Sequence, residues 1–254
     1  MAQSLGPADE AVSEDRLLGG RVRLLQPRRG YRAGLDAALL AAACDAGPGE
    51  RVLDLGCGPG AVLLAAAARR PQARVTGLER DPTALELARR NIALNGLEDR
   101  AEALPGDAGA RFAALGLAPF DAALSNPPFF DDPGALRAPD PAKAAAWMAE
   151  DGLAAWTAFL LKAVREGGTV TLIHRADRLG DLLALLSDKG GSIQVRPVHP
   201  FADEPAKRVL VRAVKTGRAP LRLLPALVLH DRSGGKHTAE AEAILRGEAA
   251  IGWL

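Results

Sequence analysis

Sulfur is scarce in this chain of 254 residues, which holds two cysteines and two methionines. The two cysteines, Cys44 and Cys57, are too few for a disulfide framework and lack the paired spacing of a metal site. The four histidines, His174, His199, His230 and His237, lie far apart in sequence, so no zinc site and no metal are expected. Long apolar runs are missing as well: no stretch reaches the roughly 18 uninterrupted apolar residues of a membrane span. Residues 1–16 are acidic and lack the apolar centre of a signal peptide, so they read as a disordered leader of a cytoplasmic protein. An excess of one charge is also absent. Thirty-two basic against 31 acidic residues leave a formal net charge of +1, which excludes a generic DNA-coating protein.

What is present is the composition of an ordinary globular protein, 48% hydrophobic and 25% charged, long enough for one large α/β domain. The basic residues are unevenly placed. Arg16, Arg21, Arg23, Arg28, Arg29 and Arg32 crowd one segment, and Lys207, Arg208, Arg212, Lys215, Arg218 and Arg222 another. Either alone reads as a solvated face. Two such stretches flanking the centre of the chain favour a polyanionic substrate, with Arg28, Arg29, Lys207 and Arg208 as its contacts.

From Arg51 the pattern alternates. A strand at 51–55 leads through a glycine loop at 56–60 into an alanine-rich helix at 61–70, stopped by Pro71. A strand at 73–78 follows, then a helix opened by Asp81-Pro82 and closed by Asn95-Gly96. A weak strand at 101–104 and a buried one at 120–125 come next. The stretch 131–143, rich in Pro, Asp and Ala, reads as a long loop of the kind that contacts substrate. Beyond it the pattern predicts a helix at 152–165, a strand at 169–174, a helix at 179–186 and strands at 193–198 and 208–214. The last two lack an intervening helix and should pair antiparallel; the rest implies a mostly parallel sheet with helices on both faces.

Two motifs carry chemistry. Asp54-Leu55-Gly56-Cys57-Gly58-Pro59-Gly60 follows a strand and opens a helix, so its backbone N–H groups can approach a ligand closely. Alone it also fits a dinucleotide fingerprint. Asp54 puts a carboxylate beside the loop, favouring a cationic ligand over a pyrophosphate. Glu79 ends the next strand about 20 residues on, where an acid takes ribose hydroxyls. Asp107, with Ala108 after it, can accept from an adenine amino group; a plain turn role fits the spacing nearly as well. Cys57 fits as the small residue between glycines.

The second motif is Asn126-Pro127-Pro128-Phe129. Two prolines remove two N–H donors, so this stretch offers acceptors only: two carbonyls and the Asn side-chain oxygen. Phe129 adds a flat face. A planar NH2 group, with two donors attached to a π-system, suits such a site. Phe130 reads as core.

These motifs, in this order, resemble class I S-adenosylmethionine-dependent methyltransferases. The resemblance covers 51–214 and implies a Rossmann-like α/β fold, a seven-stranded mostly parallel sheet with an antiparallel last strand. In that superfamily the Asn-Pro-Pro-aromatic motif marks transfer to adenine N6, cytosine N4, guanine N2 or a glutamine amide. It implies S-adenosyl-L-methionine at Asp54, Gly56, Gly58, Gly60, Glu79, Asp107, Ala108 and Asn126, and an acceptor at Asn126, Pro127, Pro128 and Phe129.

The flanks, Leu18-Gly19-Gly20-Arg21-Val22, Gly30-Tyr31-Arg32-Ala33-Gly34-Leu35-Asp36-Ala37 and Leu227-Val228-Leu229-His230 followed by 238–247, resemble the tRNA1(Val) adenine N6-methyltransferase-like group. That resemblance implies a tRNA substrate and a single domain at 17–254: a covering segment (17–50), a catalytic core (51–214) and a C-terminal extension (215–254). Arg32, Gly34 and Asp36 would then cover the cofactor, or else form a hairpin and cap a helix at 36–44. Glutamine methyltransferases of release factors share the motif but carry a substantial helical domain before the glycine loop, where about 50 residues stand here; guanine N2 rRNA methyltransferases are usually longer, duplicated chains.

Overall fold

Residues 12–28, 32–128, 152–233 and 235–253 are described in the computed structural model. The chain first forms an antiparallel hairpin, β1 (Val12–Leu17) and β2 (Val22–Pro27). This corrects part of the expected disordered leader, since 12–16 is strand; residues 1–11 lie outside the described residues. Its polar side chains, which in isolation read as disorder-promoting, have cross-strand partners. Arg23 grips Glu14 with two hydrogen bonds of 2.9 and 2.8 Å, and Gln26 donates to Asp15 at 2.8 Å. Val22 and Leu24 turn inward and are buried.

Helix α1 (Leu35–Ala42) follows, ending before Cys44 rather than at it. Then β3 (Arg51–Leu55), α2 (Ala61–Arg69), β4 (Arg74–Glu79) and α3 (Pro82–Leu94) alternate as the pattern predicts. Asp81 caps α3 by accepting from Thr83 and Ala84 N–H at 2.9 Å each, with Pro82 in the first turn where its missing N–H is not needed. The chain continues through β5 (Ala101–Pro105), β6 (Phe120–Ser125), α4 (Gly152–Ala163), β7 (Val164–Arg175) and α5 (Leu179–Leu186). It ends with β8 (Gly190–His199), β9 (Arg208–Lys215), β10 (Arg222–Leu223), β11 (Leu227–Val228) and α6 (Ala239–Arg246). The expected loop at 131–143 lies outside the described residues.

The main sheet has the order β10-β8-β9-β7-β6-β3-β4-β5, with β11 also on β8. β9 is inserted antiparallel between β7 and β8, and β3 to β7 are parallel. Among the described residues seven strands hold for the stretch 51–215, but the sheet has nine, because β10 and β11 add two residues each. Runs that short leave no periodicity to read.

Alternation along the strands sorts side chains into two layers. Val52, Val75, Ala122, Leu124 and Ile173 pack against α1, α2 and α3, while Leu53, Leu55, Ala123 and Leu172 pack against α4 and α5. β3 lies between β4 and β6, so the chain runs outward in one direction and returns on the other side. The crevice at such a reversal, beyond the strand carboxyl ends, is where ligands of open α/β sheets sit.

Candidate active site

Register places Leu55 of β3 opposite Ser125 of β6 on neighbouring parallel strands. The next residues, Gly56 and Asn126, therefore leave the sheet side by side. Gly56 turns at φ +71° and gives its N–H to the Leu78 carbonyl at 2.8 Å. A Cβ there would stand 2.6 Å from Trp156 Cζ2, so this close approach needs glycine. Gly58, at φ +54°, donates its N–H to Glu79 Oε2 at 2.9 Å, and a Cβ on it would enter open space. Gly60 begins α2 without a side chain to cap it.

Asp54 supplies that cap from the strand. It is 1% exposed, and its Oδ2 accepts from Leu63 N–H at 2.9 Å. Burial pushes its carboxyl up to about 7; the Leu63 hydrogen bond pulls the other way, and the Glu79 charge adds a smaller push upward. The Cys57 thiol is held well above its ordinary range, first by burial and then by Asp54 and Glu79. Both cysteines are buried and free, as packing residues are.

The cleft beside this loop, open to solvent, is lined by Ala33, Ala37, Asp54, Gly56, Gly58 and Asn126 among others. Asn126 is half-buried, and Pro127 is buried beside it. Phe129, the expected stacking residue, lies outside the described residues, as does Phe130. Glu79 accepts from Gly58 and Asp81 N–H at 2.9 and 2.8 Å, one on each oxygen. Asp107 takes the turn geometry, accepting from Gly109 N–H at 2.8 Å, with Arg80 3.5 Å away. Ala108 is buried in the layer beneath it.

The N-terminal trio is placed differently. Arg32 is clasped by the hairpin, donating to Ser13 at 2.8 Å, to the Pro27 carbonyl at 2.9 Å and to Asp15. Gly34 precedes α1, and Asp36 pairs with Arg208 at 2.9 Å. Their neighbours Ala33 and Ala37 line the cleft instead.

Several basic residues are likewise engaged within the fold. Arg212 pairs with Asp45 at 2.6 Å and Lys215 with Glu166 at 3.3 Å. Arg28 and Lys207 are exposed, and Arg29 lies outside the described residues.

Two features escaped the sequence reading. Trp156 of α4 donates to Ser125 Oγ at 2.6 Å, which in turn donates to the Leu55 carbonyl at 2.8 Å, tying α4 to both site strands. The only sequence signal was an apolar position in a helix. The second is a ring cluster: β11 pairs with the end of β8, and His230 stacks on His237 at 5.1 Å with Phe201 5.4 Å from His230. Arg232 sits 4.1 Å over the Phe201 ring.

Set against known proteins, the methyltransferase small domain family matches residues 32–138. A tRNA1(Val) (adenine(37)-N6)-methyltransferase from Porphyromonas gingivalis is 33% identical over 216 residues, covering 80% of this chain and 83% of that protein. A release factor glutamine methyltransferase from Deinococcus radiodurans is 34% identical over 177 residues, covering 66% of this chain and 59% of that protein. The crystal structure of a predicted O-methyltransferase from Agrobacterium tumefaciens has a TM-score of 0.72 at 29% identity, over 85% of this chain and 98% of that one.

Sheet order, antiparallel insertion and glycine-loop cleft thus define a class I S-adenosylmethionine-dependent methyltransferase. Within that class the chain belongs to the methyltransferase small domain family, in the group resembling the tRNA1(Val) adenine N6-methyltransferases.

The cleft suits the cofactor S-adenosyl-L-methionine. A carboxylate offers about four acceptor positions, and the two that Glu79 uses leave further acceptor capacity on each oxygen. The open space at Gly58 admits ligand atoms where any side chain would stand. Among the described residues no helix is long and apolar enough to cross a membrane.

Proposed function

We propose that this enzyme methylates N6 of an adenine in a tRNA. The observation that carries the reading is the side-by-side exit of Gly56 and Asn126 from β3 and β6, which sets the Asn126 side-chain oxygen and the proline carbonyls beside the cofactor loop. When bound, the cofactor supplies an electrophilic methyl group. The chain's own residues do the rest by positioning. The Asn126 side-chain oxygen and the Pro127 carbonyl accept the two N–H bonds of the target amine, and neither proline has an N–H to compete. Held this way, the nitrogen becomes pyramidal and its lone pair points at the methyl group. Phe129 stacks on the base, a contact worth ~1–3 kcal/mol.

On the cofactor side, Glu79 takes the ribose and Asp54 faces the cationic end. Gly58 leaves open space for close approach, Gly56 and Gly60 hold the turns of the loop, and Asp107 with Ala108 flanks the adenine. Arg32, Gly34 and Asp36 act through the wall they support.

Several features support a nucleic-acid partner. Arg28 and Lys207 are exposed, and Arg29 adjoins Arg28 in sequence. Arg208, held on Asp36, anchors α1 to β9 beside Lys207. The rings of Phe201, His230 and His237 follow β8 and β11, on the same edge of the sheet as Asn126. β8 stands three strand spacings from β6, roughly 14 Å, within reach of nucleotides next to the target.

The test is transfer of labelled methyl groups into tRNA, rRNA and protein fractions, each from cells lacking this gene. Label in tRNA is the expected result. Label confined to protein would move the enzyme to release-factor glutamine, and label confined to rRNA to guanine N2.

A further inference from the structure

β2 has two edges, and among the described residues one of them pairs with a strand, β1. On the other edge the backbone groups of Arg23 and Leu25 bond to side chains of α3. Asn95 accepts from Arg23 N–H at 2.9 Å and donates to its carbonyl at 2.7 Å. Asn91 accepts from Leu25 N–H at 2.7 Å and donates to the Leu25 carbonyl at 2.8 Å. The spacing explains why the match works. Four residues of helix rise about 6 Å, close to the roughly 6.7 Å spanned by two residues of strand. Two amides one helical turn apart therefore stand in for a neighbouring strand, and the hairpin docks through its backbone.

Asn91 does something Asn95 does not. It is 0% exposed, and its Nδ2 also donates to the carbonyl of Pro59, inside the glycine loop, at 2.8 Å. The next residue of β2, Gln26, is 2% exposed; it accepts from Ala33 N–H at 2.9 Å and donates to Asp15 at 2.8 Å. Pro59 and Ala33 both line the cleft. Asn91, Leu25 and Gln26 thus make a buried connection from the loop under the cofactor to the N-terminal wall of the same cleft.

We propose that Asn91 is a positioning residue for cofactor binding, and that through it the β1–β2 hairpin braces the Ala33 side of the cleft against the glycine loop. The inference rests on the cleft being the cofactor site and is independent of which substrate is methylated. Replacing Asn91 with an apolar group of similar size leaves three groups without their partner: the part-buried Leu25 N–H and carbonyl and the buried Pro59 carbonyl. Both walls then lose their common register.

The test compares Asn91→Leu with Asn95→Ala, which loosens the same hairpin without touching Pro59. Calorimetry on the purified protein should show affinity for S-adenosylmethionine falling about tenfold or more in Asn91→Leu. Asn95→Ala should bind as wild type does. In steady state the Asn91 variant should raise KM for the donor while kcat at saturation changes little. Amide exchange in the free protein should quicken at both Gly58 and Ala33 in Asn91→Leu alone. Should Asn91→Leu not fold, Gln26→Leu cuts the same connection at its other end and is expected to give the same losses.

Unchanged donor affinity in Asn91→Leu, or equal losses in Asn91→Leu and Asn95→Ala, overturns the proposal. Failure of the wild-type protein to bind the donor would instead overturn the cofactor reading. The exchange comparison separates the two cases, because it needs no ligand.

Discussion

Replacing Asp54 with Asn removes a buried charge while keeping an oxygen to accept the Leu63 N–H. Burial raises the Asp54 carboxyl from an ordinary 3.8 to about 7. Because the folded pKa lies above the unfolded one, the folded state holds the extra proton between those values. Stability from this group is therefore full below about pH 4 and is lost as pH rises through about 7. A gap of about three pH units corresponds to a penalty on the order of 4 kcal/mol above neutrality. An amide carries no such penalty, so the two proteins should be similar near pH 4 and diverge as pH rises. Near pH 8 the Asp54→Asn protein should be the more stable by several kcal/mol, on the order of that penalty. The difference between the proteins isolates Asp54, because His174, pushed down to about 4 chiefly by burial, contributes a slope of opposite sign in both. Urea unfolding followed by circular dichroism at a series of pH values measures it. Parallel pH profiles for the two proteins would refute a buried, proton-holding carboxyl at this position.

The Gly56→Ala protein should melt at lower temperature with altered tryptophan fluorescence, since its Cβ would meet Trp156 at 2.6 Å and φ is +71°; unchanged emission and melting would contradict the packing. With Glu79→Ala, donor affinity measured by calorimetry should fall about tenfold or more, and wild-type affinity would remove Glu79 from the ribose role. For tRNA, affinity should drop steeply with salt, and charge reversal at Arg28 and Lys207 should flatten that slope by about one per residue contacting phosphate. A salt-independent affinity would argue against a polyanionic partner.

Much of this architecture was legible because its signals are local. The alternation from Arg51 onward, the cap at Asp81-Pro82 and the missing helix between β8 and β9 all sit within a few residues of what they predict. The placement of the two candidate-site motifs was legible for the same reason, since the glycine loop and the Asn126 motif each follow a strand directly. What escaped reading depends on distant partners. β1 is polar and takes its strand form from β2, whose far edge is held by Asn91 and Asn95 of α3. Trp156 looked like one more apolar helical residue until its indole met Ser125. The histidine stack needs β11, two residues long, to bring the tail onto β8. Arg32 and Asp36, placed toward the cofactor by resemblance, and Arg208, placed toward a polyanion by charge clustering, show the converse, since each is engaged with the fold.

The central claim is that Asn126, beside the glycine loop, presents an adenine amino group to the methyl donor. Its most direct test is nucleoside analysis of tRNA incubated with S-adenosylmethionine and either wild-type or Asn126→Ala enzyme. Wild-type enzyme should produce N6-methyladenosine. Loss of the Asn126 acceptor leaves one N–H of the amine unpaired, at ~1–3 kcal/mol, so the variant should make it about 5- to 150-fold more slowly while binding the donor as tightly as wild type. N6-methyladenosine formed at the wild-type rate by Asn126→Ala, or methyl groups appearing on glutamine instead of tRNA, would contradict the account.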